Sequence, residues 1–338
     1  MTEAPTTPVQ RFDFRSAGGP IPRQPAPQQA PPQPAAPSFL KQTKWPTGVF
    51  NIPGQGVNFN CSIARWRGML WLVTRNLNGG RNSICIHELP QGGPRPGFAI
   101  RLPALYNNEQ YEDPRICCNG LAVPTLPILS YCTYVSGKSA PHQVVATLTE
   151  KMEATNLLHV EYRNNGNCIS SNKGPEKNWV FFKQNEALHF VYGTHPHEVV
   201  ELLGHRVFRV HKTQQQGMQW PWGQLRGGTP PVLVGNEYLS FFHSSSPYRN
   251  TSRYYMGAYT FEAQPPFAMT RISKAPILMG SEEDPHMTSP PYVIYPGGAV
   301  FENNEWFVVF GVNDCRCGWM RIPHEDLLAT LTPVTNLP

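Results

Sequence analysis

Charge is scarce in this 338-residue chain: Asp, Glu, Lys and Arg together make 15% of it, and the net charge is +5. No Lys/Arg run stands out, so a nucleic-acid partner is not expected. No apolar stretch approaches ~18 residues, so no transmembrane helix and no membrane partner are expected. The first ten residues, MTEAPTTPVQ, hold no apolar core of a secretory leader, and a cytoplasmic location is expected. Eight cysteines are too few and too irregularly spaced for a disulfide scaffold or a zinc ribbon, and read as reduced, packed thiols. Amphipathic helical patterns are nearly absent, apart from a short candidate over His324–Leu331. Walker, dinucleotide-binding and G-x-S-x-G motifs are missing too. His195-Pro-His197, with His205 and His211, lacks the carboxylates and spacing of a metal motif, and no metal is predicted.

Glycine (28) and proline (36) are what the chain has in plenty. Much of the proline lies in residues 1–44, where PIPRQPAPQQAPPQPAAPSF offers too little apolar surface to offset chain entropy; this segment is expected to be a disordered tail. From residue 45 to 338 the texture is that of a single all-β domain. Short runs rich in aromatic and β-branched residues recur between turn signals: Met69–Val73, Ile128–Tyr134, Trp179–Phe182, Leu188–Tyr192, Tyr238–Phe242 and Trp306–Phe310. They fall into packets whose openings, taken at Asn60, Asp113, Lys177, Gly228 and Gly297, are 53, 64, 51 and 69 residues apart. A four-stranded propeller blade needs ~40–50 residues or more, so five packets predict a five-bladed β-propeller. In that fold the packet openings ring one mouth of the central channel, and chemistry is expected there.

Aspartate is rare, with five in the chain. Asp113 and Asp314 border the packet strands. In Tyr111-Glu-Asp-Pro-Arg-Ile116, strict alternation would send Glu112 and Asp113 to opposite faces and place Arg115 on the face of Asp113. An Asp113–Arg115 pair that merely fastens a blade is then one reading, and a lone acid in the channel is the other. Lys177 and Asn178 could hold an anion or sugar hydroxyls, or belong to a solvated turn. His243 follows an apolar strand, and a structural histidine is the alternative there. Asn313-Asp314 is equally a turn signal.

The ordered set Phe59-Asn-Cys-Ser-Ile63, Thr74-Arg75, Glu112-Asp-Pro-Arg-Ile116, Glu176-Lys-Asn-Trp179, Gly227-Gly-Thr-Pro-Pro231, Phe242-His243, Tyr295-Pro-Gly-Gly298 and Gly311-x-Asn-Asp314 resembles glycoside hydrolase family 130, the β-mannoside phosphorylases and hydrolases. The resemblance spans about residues 45–331. It implies a five-bladed propeller that binds an oligosaccharide in its axial pocket, with Asp113 as general acid, its proton passing through a sugar hydroxyl. It implies sugar contacts at Asn60, Arg75 and Asp314, with Glu112 and Asn178 beside them. It also implies anion contacts at Arg115, Lys177 and His243, with inorganic phosphate as co-substrate and no other cofactor. The tyrosine of the family's phosphate-binding Tyr-His pair is Phe242 here. Hydrolysis would instead need a second carboxylate, for which Glu176 and Asp314 are the candidates. A glycosyltransferase using the same pocket and a non-catalytic carbohydrate-binding propeller remain alternatives, and assembly into a homo-oligomer is left open.

Overall fold

The computed structural model describes residues 42–102, 109–118, 126–135, 142–160, 163–164, 167–168, 177–185, 187–204, 207–282 and 292–337. Residues 1–41 of the proline-rich tail, Glu176 and His205 lie outside them. The described residues form five antiparallel sheets of four or more strands, each ordered from the axis outward. Blade 1 comprises Val57–Trp66, Met69–Asn78, Arg81–Glu88 and Phe98–Ala99. Blade 2 comprises Glu109–Cys117, Ile128–Val135, His142–Leu148 and Ala154–Val160. Blade 3 runs from Val180–Gln184 through Ala187–Thr194 and His197–Gly204 to Val207–Gln216. Blade 4 opens with Arg226–Gly227 and Val232–Val234, and continues through the long hairpin Glu237–Tyr248 and Thr251–Glu262 to Met269–Ser273. Blade 5 comprises Ile294–Glu302, Glu305–Val312 and Arg316–Pro323.

Two segments tie the ring together. Thr47–Val49 pairs antiparallel with Arg316–Pro323 and becomes the outer strand of blade 5. After the expected short helix, found at His324–Ala329, Leu331–Pro333 adds to the edge of blade 4 and Thr335–Leu337 to the edge of blade 3.

The aromatic-rich runs form strands because each sheet is buried on both faces. Successive side chains alternate between faces, so a strand with two dry faces needs apolar residues at consecutive positions. Phe181 packs with Cys117, Ile128 and Val145 between blades 2 and 3, whereas Val180 and Phe182 pack with Tyr238, Phe242 and Phe261 between blades 3 and 4. Phe241 turns the other way, joining Ile294, Trp306 and Phe310 between blades 4 and 5. Cys61, Ile63 and Leu72 meet Phe307, Val309 and Cys317 between blades 5 and 1, and Val73, Ile84 and Ile86 meet Ile116, Leu129 and Tyr131 between blades 1 and 2. Five dry layers between five blades close the circle. Among the described residues, no helix is long and apolar enough to cross a membrane.

Candidate active site

The innermost strands do not run smoothly into the axis. The ladder slips by a residue between Phe59 and Ser62 in blade 1 and between Glu112 and Arg115 in blade 2. Asn60 (φ 47°) and Asp113 (φ 51°) sit inside these bulges in the left-handed region, as does Asn178 (φ 71°) just before the inner strand of blade 3. Asn and Asp tolerate that conformation better than other residues with a Cβ. A bulge re-aims a side chain, and three polar side chains are thereby turned toward one point.

That point is a cavity of about 420 Å³ on the axis. Its walls carry Asn60, Arg75, Glu112, Asp113, Lys177, Asn178, His243 and Asp314, eight of the nine site residues expected from sequence. The expectation that Glu112 and Asp113 face opposite ways does not hold, because the bulge breaks the two-residue period and both reach the cavity.

Arg115 is the residue that differs. It is buried beneath the cavity rather than on its wall, with 1% of its surface exposed. Its Nε donates to the carbonyl of Gly228 (2.6 Å) and its Nη1 to the carbonyl of Asp113 (3.2 Å). Its Nη2 donates to the Gly227 carbonyl (3.5 Å) and to the Tyr295 hydroxyl. Neither the expected Asp113–Arg115 ion pair nor a place for Arg115 as a direct anion ligand is found. Arg226, which sequence reasoning passed over, stands on the wall as a cation.

Asn60 holds the acids together. Its Nδ2 donates to Asp113 Oδ1 (3.1 Å) and to Asp314 Oδ1 (3.3 Å). A Cβ at residue 311 would collide with the Asn60 amide oxygen, so the packing requires Gly311 there. Glu112 is engaged elsewhere: Arg75 Nη2 lies 2.8 Å from its Oε1, and the Tyr134 hydroxyl donates to the same oxygen at 3.0 Å. Arg75 is further pinned by Asn82 Oδ1 at 2.9 Å.

Electrostatics separates the groups. Burial alone would raise the Asp113 carboxyl, but the charges of Lys177, Arg75 and Arg115 and the Asn60 hydrogen bond outweigh it and hold the group below the ordinary Asp value. Burial works against the Lys177 charge, yet Asp113 and Glu112 overcome it and raise that group. Burial, with help from Arg115 and Arg226, pushes His243 down to about 3, so the imidazole is neutral. Its Nδ1 is buried without a hydrogen-bond partner. Among the described residues, neither Lys177 nor Arg226 ends in an ion pair.

The ring beside His243 is also not the one its sequence neighbour suggests. Phe242 points away into the blade 3–4 layer, against Trp220 and Tyr259. Tyr254, on the second strand of the long hairpin, stacks on His243 at 5.8 Å with an 8° interplanar angle and lines the cavity with Thr251, Ser252 and Tyr295. Two histidines of the His195-Pro-His197 motif have structural partners: His195 Nδ1 contacts Gln215 Oε1 and His197 Nδ1 contacts the Phe267 carbonyl.

A small polar axial cavity in a five-bladed propeller, rich in amides, acids and cations, suits a polyhydroxylated ligand such as a sugar. The family model described as beta-1,4-mannooligosaccharide phosphorylase matches residues 106–332, and the chain belongs to that family, glycoside hydrolase family 130. It is accordingly an enzyme of the mannoside phosphorylase and hydrolase group. Similar solved structures include a beta-1,2-mannobiose phosphorylase from Listeria innocua, in complex with beta-1,2-mannobiose. It is 15% identical, with a TM-score of 0.59 over 84% of this chain and 92% of that one. A family-130 hydrolase targeting beta-1,2 mannosidic linkages in Candida mannan is 13% identical, with a TM-score of 0.61 over 84% and 87%. A GDP-Man-dependent mannosyltransferase from Leishmania mexicana is 12% identical, with a TM-score of 0.57 over 84% and 91%. No curated protein sequence matches the chain.

Proposed function

We propose that the chain cleaves β-mannosidic linkages of an oligosaccharide by phosphorolysis with inversion, Asp113 acting as general acid. The observation that carries this reading is that one cavity holds both kinds of group. Asn60, Arg75, Glu112 and Asp314 offer hydrogen bonds to sugar hydroxyls. Lys177 and Arg226 stand in the same wall outside any ion pair among the described residues, with His243, whose Nδ1 has no hydrogen-bond partner, and the Tyr254 ring. A phosphate dianion needs such a cradle and needs no base.

Phosphate oxygen, held by Lys177 and Arg226, attacks the anomeric carbon as the bond to the departing sugar breaks. The Asp113 proton ends on the leaving oxygen, by way of a sugar hydroxyl if the family pattern holds. The free cavity holds Asp113 ionised. Phosphate at Lys177 takes up the foremost of the positive charges responsible, so proton affinity at Asp113 rises when both substrates are present.

Among the described acids hydrolysis fits less well; Glu176, the other candidate base, lies outside the described residues. An inverting pair must hold a water across ~6.5–9.5 Å. Asp113 Oδ1 and Asp314 Oδ1 lie 3.1 and 3.3 Å from one amide nitrogen, which brings them closer together than that range. Glu112 is occupied by Arg75 and Tyr134.

The test is incubation with mannobiosides, with and without phosphate. Mannose 1-phosphate formed only with phosphate is expected, and Asp113→Asn should reduce its rate by ~100-fold or more. Phosphate-independent mannose release, or transfer from GDP-mannose without phosphorolysis, would overturn the reading.

A further inference from the structure

We infer that Tyr295 is a positioning residue that diverts the Arg115 guanidinium from the Asp113 carboxylate and so leaves that carboxylate free for the cavity. The inference rests on Asp113 being the acid. Its starting point is an anomaly. Arg115 is two residues from Asp113, reaches its main-chain carbonyl, and is almost fully buried, yet it pairs with no carboxylate among the described residues. A buried guanidinium next to an aspartate ordinarily closes on it, because a charged partner best offsets lost hydration.

Three other blades keep the pair apart. The carbonyls of Gly227 and Gly228, from blade 4, take Nη2 and Nε. They come that close because residue 228 has no side chain: a Cβ there would strike the Phe241 carbonyl and Pro296. These acceptors are main-chain atoms and cannot swing aside. The remaining acceptor is the Tyr295 hydroxyl of blade 5, which receives Nη2 and donates its own proton to Asn178 Oδ1 of the blade 3 entrance at 3.0 Å. With its proton committed to Asn178, the phenol presents only lone pairs to Arg115. Burial holds its ionisation well above the ordinary tyrosine value, so it remains a neutral phenol.

Removing that hydroxyl leaves one face of the guanidinium buried and unsatisfied. The nearest anionic acceptor is then Asp113 itself. Closure of that pair pulls the carboxylate off Asn60 and lowers its proton affinity further.

The experiment compares wild type with Tyr295→Phe. Phosphorolysis is followed against pH, and the Asp113 carboxyl is titrated in protein carrying ¹³Cγ-aspartate. Five aspartates make five resonances, and Asp113→Asn identifies the relevant one. Tyr295→Phe is expected to lower kcat by about 10-fold and leave KM for phosphate within about 2-fold. The alkaline limb of kcat and the carboxyl titration of the free protein should both move to lower pH by about one unit. Asn178→Gly, which keeps the left-handed backbone and removes the acceptor of the phenol proton along with a cavity-wall amide, should move both in the same direction by less. An unmoved titration and pH profile in Tyr295→Phe, with only thermal stability reduced, would overturn the inference. Full activity in Asp113→Asn would overturn the assignment of the acid instead. The carboxyl titration would still report whether Tyr295 keeps Arg115 away from Asp113.

Discussion

Tyr254 and Phe242 show how one side chain decides which ring serves the cavity. The phosphate-binding tyrosine expected beside His243 is Phe242, but that ring lies in a dry layer, and Tyr254 from the adjoining strand covers the imidazole. Tyr254→Phe is therefore expected to raise KM for phosphate by about 10–150-fold, the worth of one hydrogen bond to an anion. Phe242→Tyr should leave that KM unchanged and lower stability by about 1–3 kcal/mol, because its hydroxyl would be buried without a partner. Phosphate-dependence curves and denaturant titrations of the two variants read both effects. Tighter phosphate binding in Phe242→Tyr would contradict the orientation described. Asn60, Asp113 and Asn178 were legible at this scale as packet openings. The joint approach of Glu112 and Asp113 was not, since a bulge violates the alternation on which strand reading depends. The only local hint was an Asp ahead of Pro, which is also an ordinary strand start.

The strands were legible for a reason that belongs to the elements. A sheet with two buried faces writes consecutive apolar residues into its sequence, so Tyr238–Phe242 and Trp306–Phe310 announce themselves. Both lie inside observed strands, whereas Trp179 falls just ahead of Val180–Gln184. The hairpin tip was not legible. Thr251, Ser252 and Tyr254 belong to a twelve-residue strand whose far half is core, and nothing in Thr251–Tyr255 marks where the blade ends and the cavity wall begins. The same layered packing gives a stability prediction. Phe181 serves the blade 2–3 layer and Phe182 the blade 3–4 layer. Phe181→Ala and Phe182→Ala should each cost about 3–5 kcal/mol in denaturant unfolding, from opposite faces of one strand. A loss below ~1 kcal/mol at either position would mean its layer is not sealed.

Across the whole molecule, buried neutral histidines make stability depend on pH. Burial pushes His197 down to about 4, against the pull of its Phe267 carbonyl contact, and His243 down to about 3. Below pH ~6.5 the unfolded chain binds protons at these positions that the folded chain does not. Stability is thus complete above pH ~6.5 and is lost as pH falls toward 4 and 3. At pH 4 the His197 contribution amounts to roughly 3 kcal/mol. Unfolding midpoints measured from pH 7 to pH 4.5 should fall steadily, and midpoints unchanged down to pH 5 would rule out neutral burial of these rings. Asp113 acts lower on the scale: its depressed folded value contributes stability above the ordinary Asp range that disappears only under stronger acid.

The pairing of Thr47–Val49 with Arg316–Pro323 also constrains biosynthesis. A ribosome releases the first of these partners some 270 residues before the second exists. Until translation nears its end, the early segment has no sheet to join, and the fifth blade cannot acquire its outer edge. A message truncated upstream of that blade would yield an open arc whose end sheets each expose an aromatic face meant for a neighbour, a product suited to chaperone capture and degradation rather than partial activity.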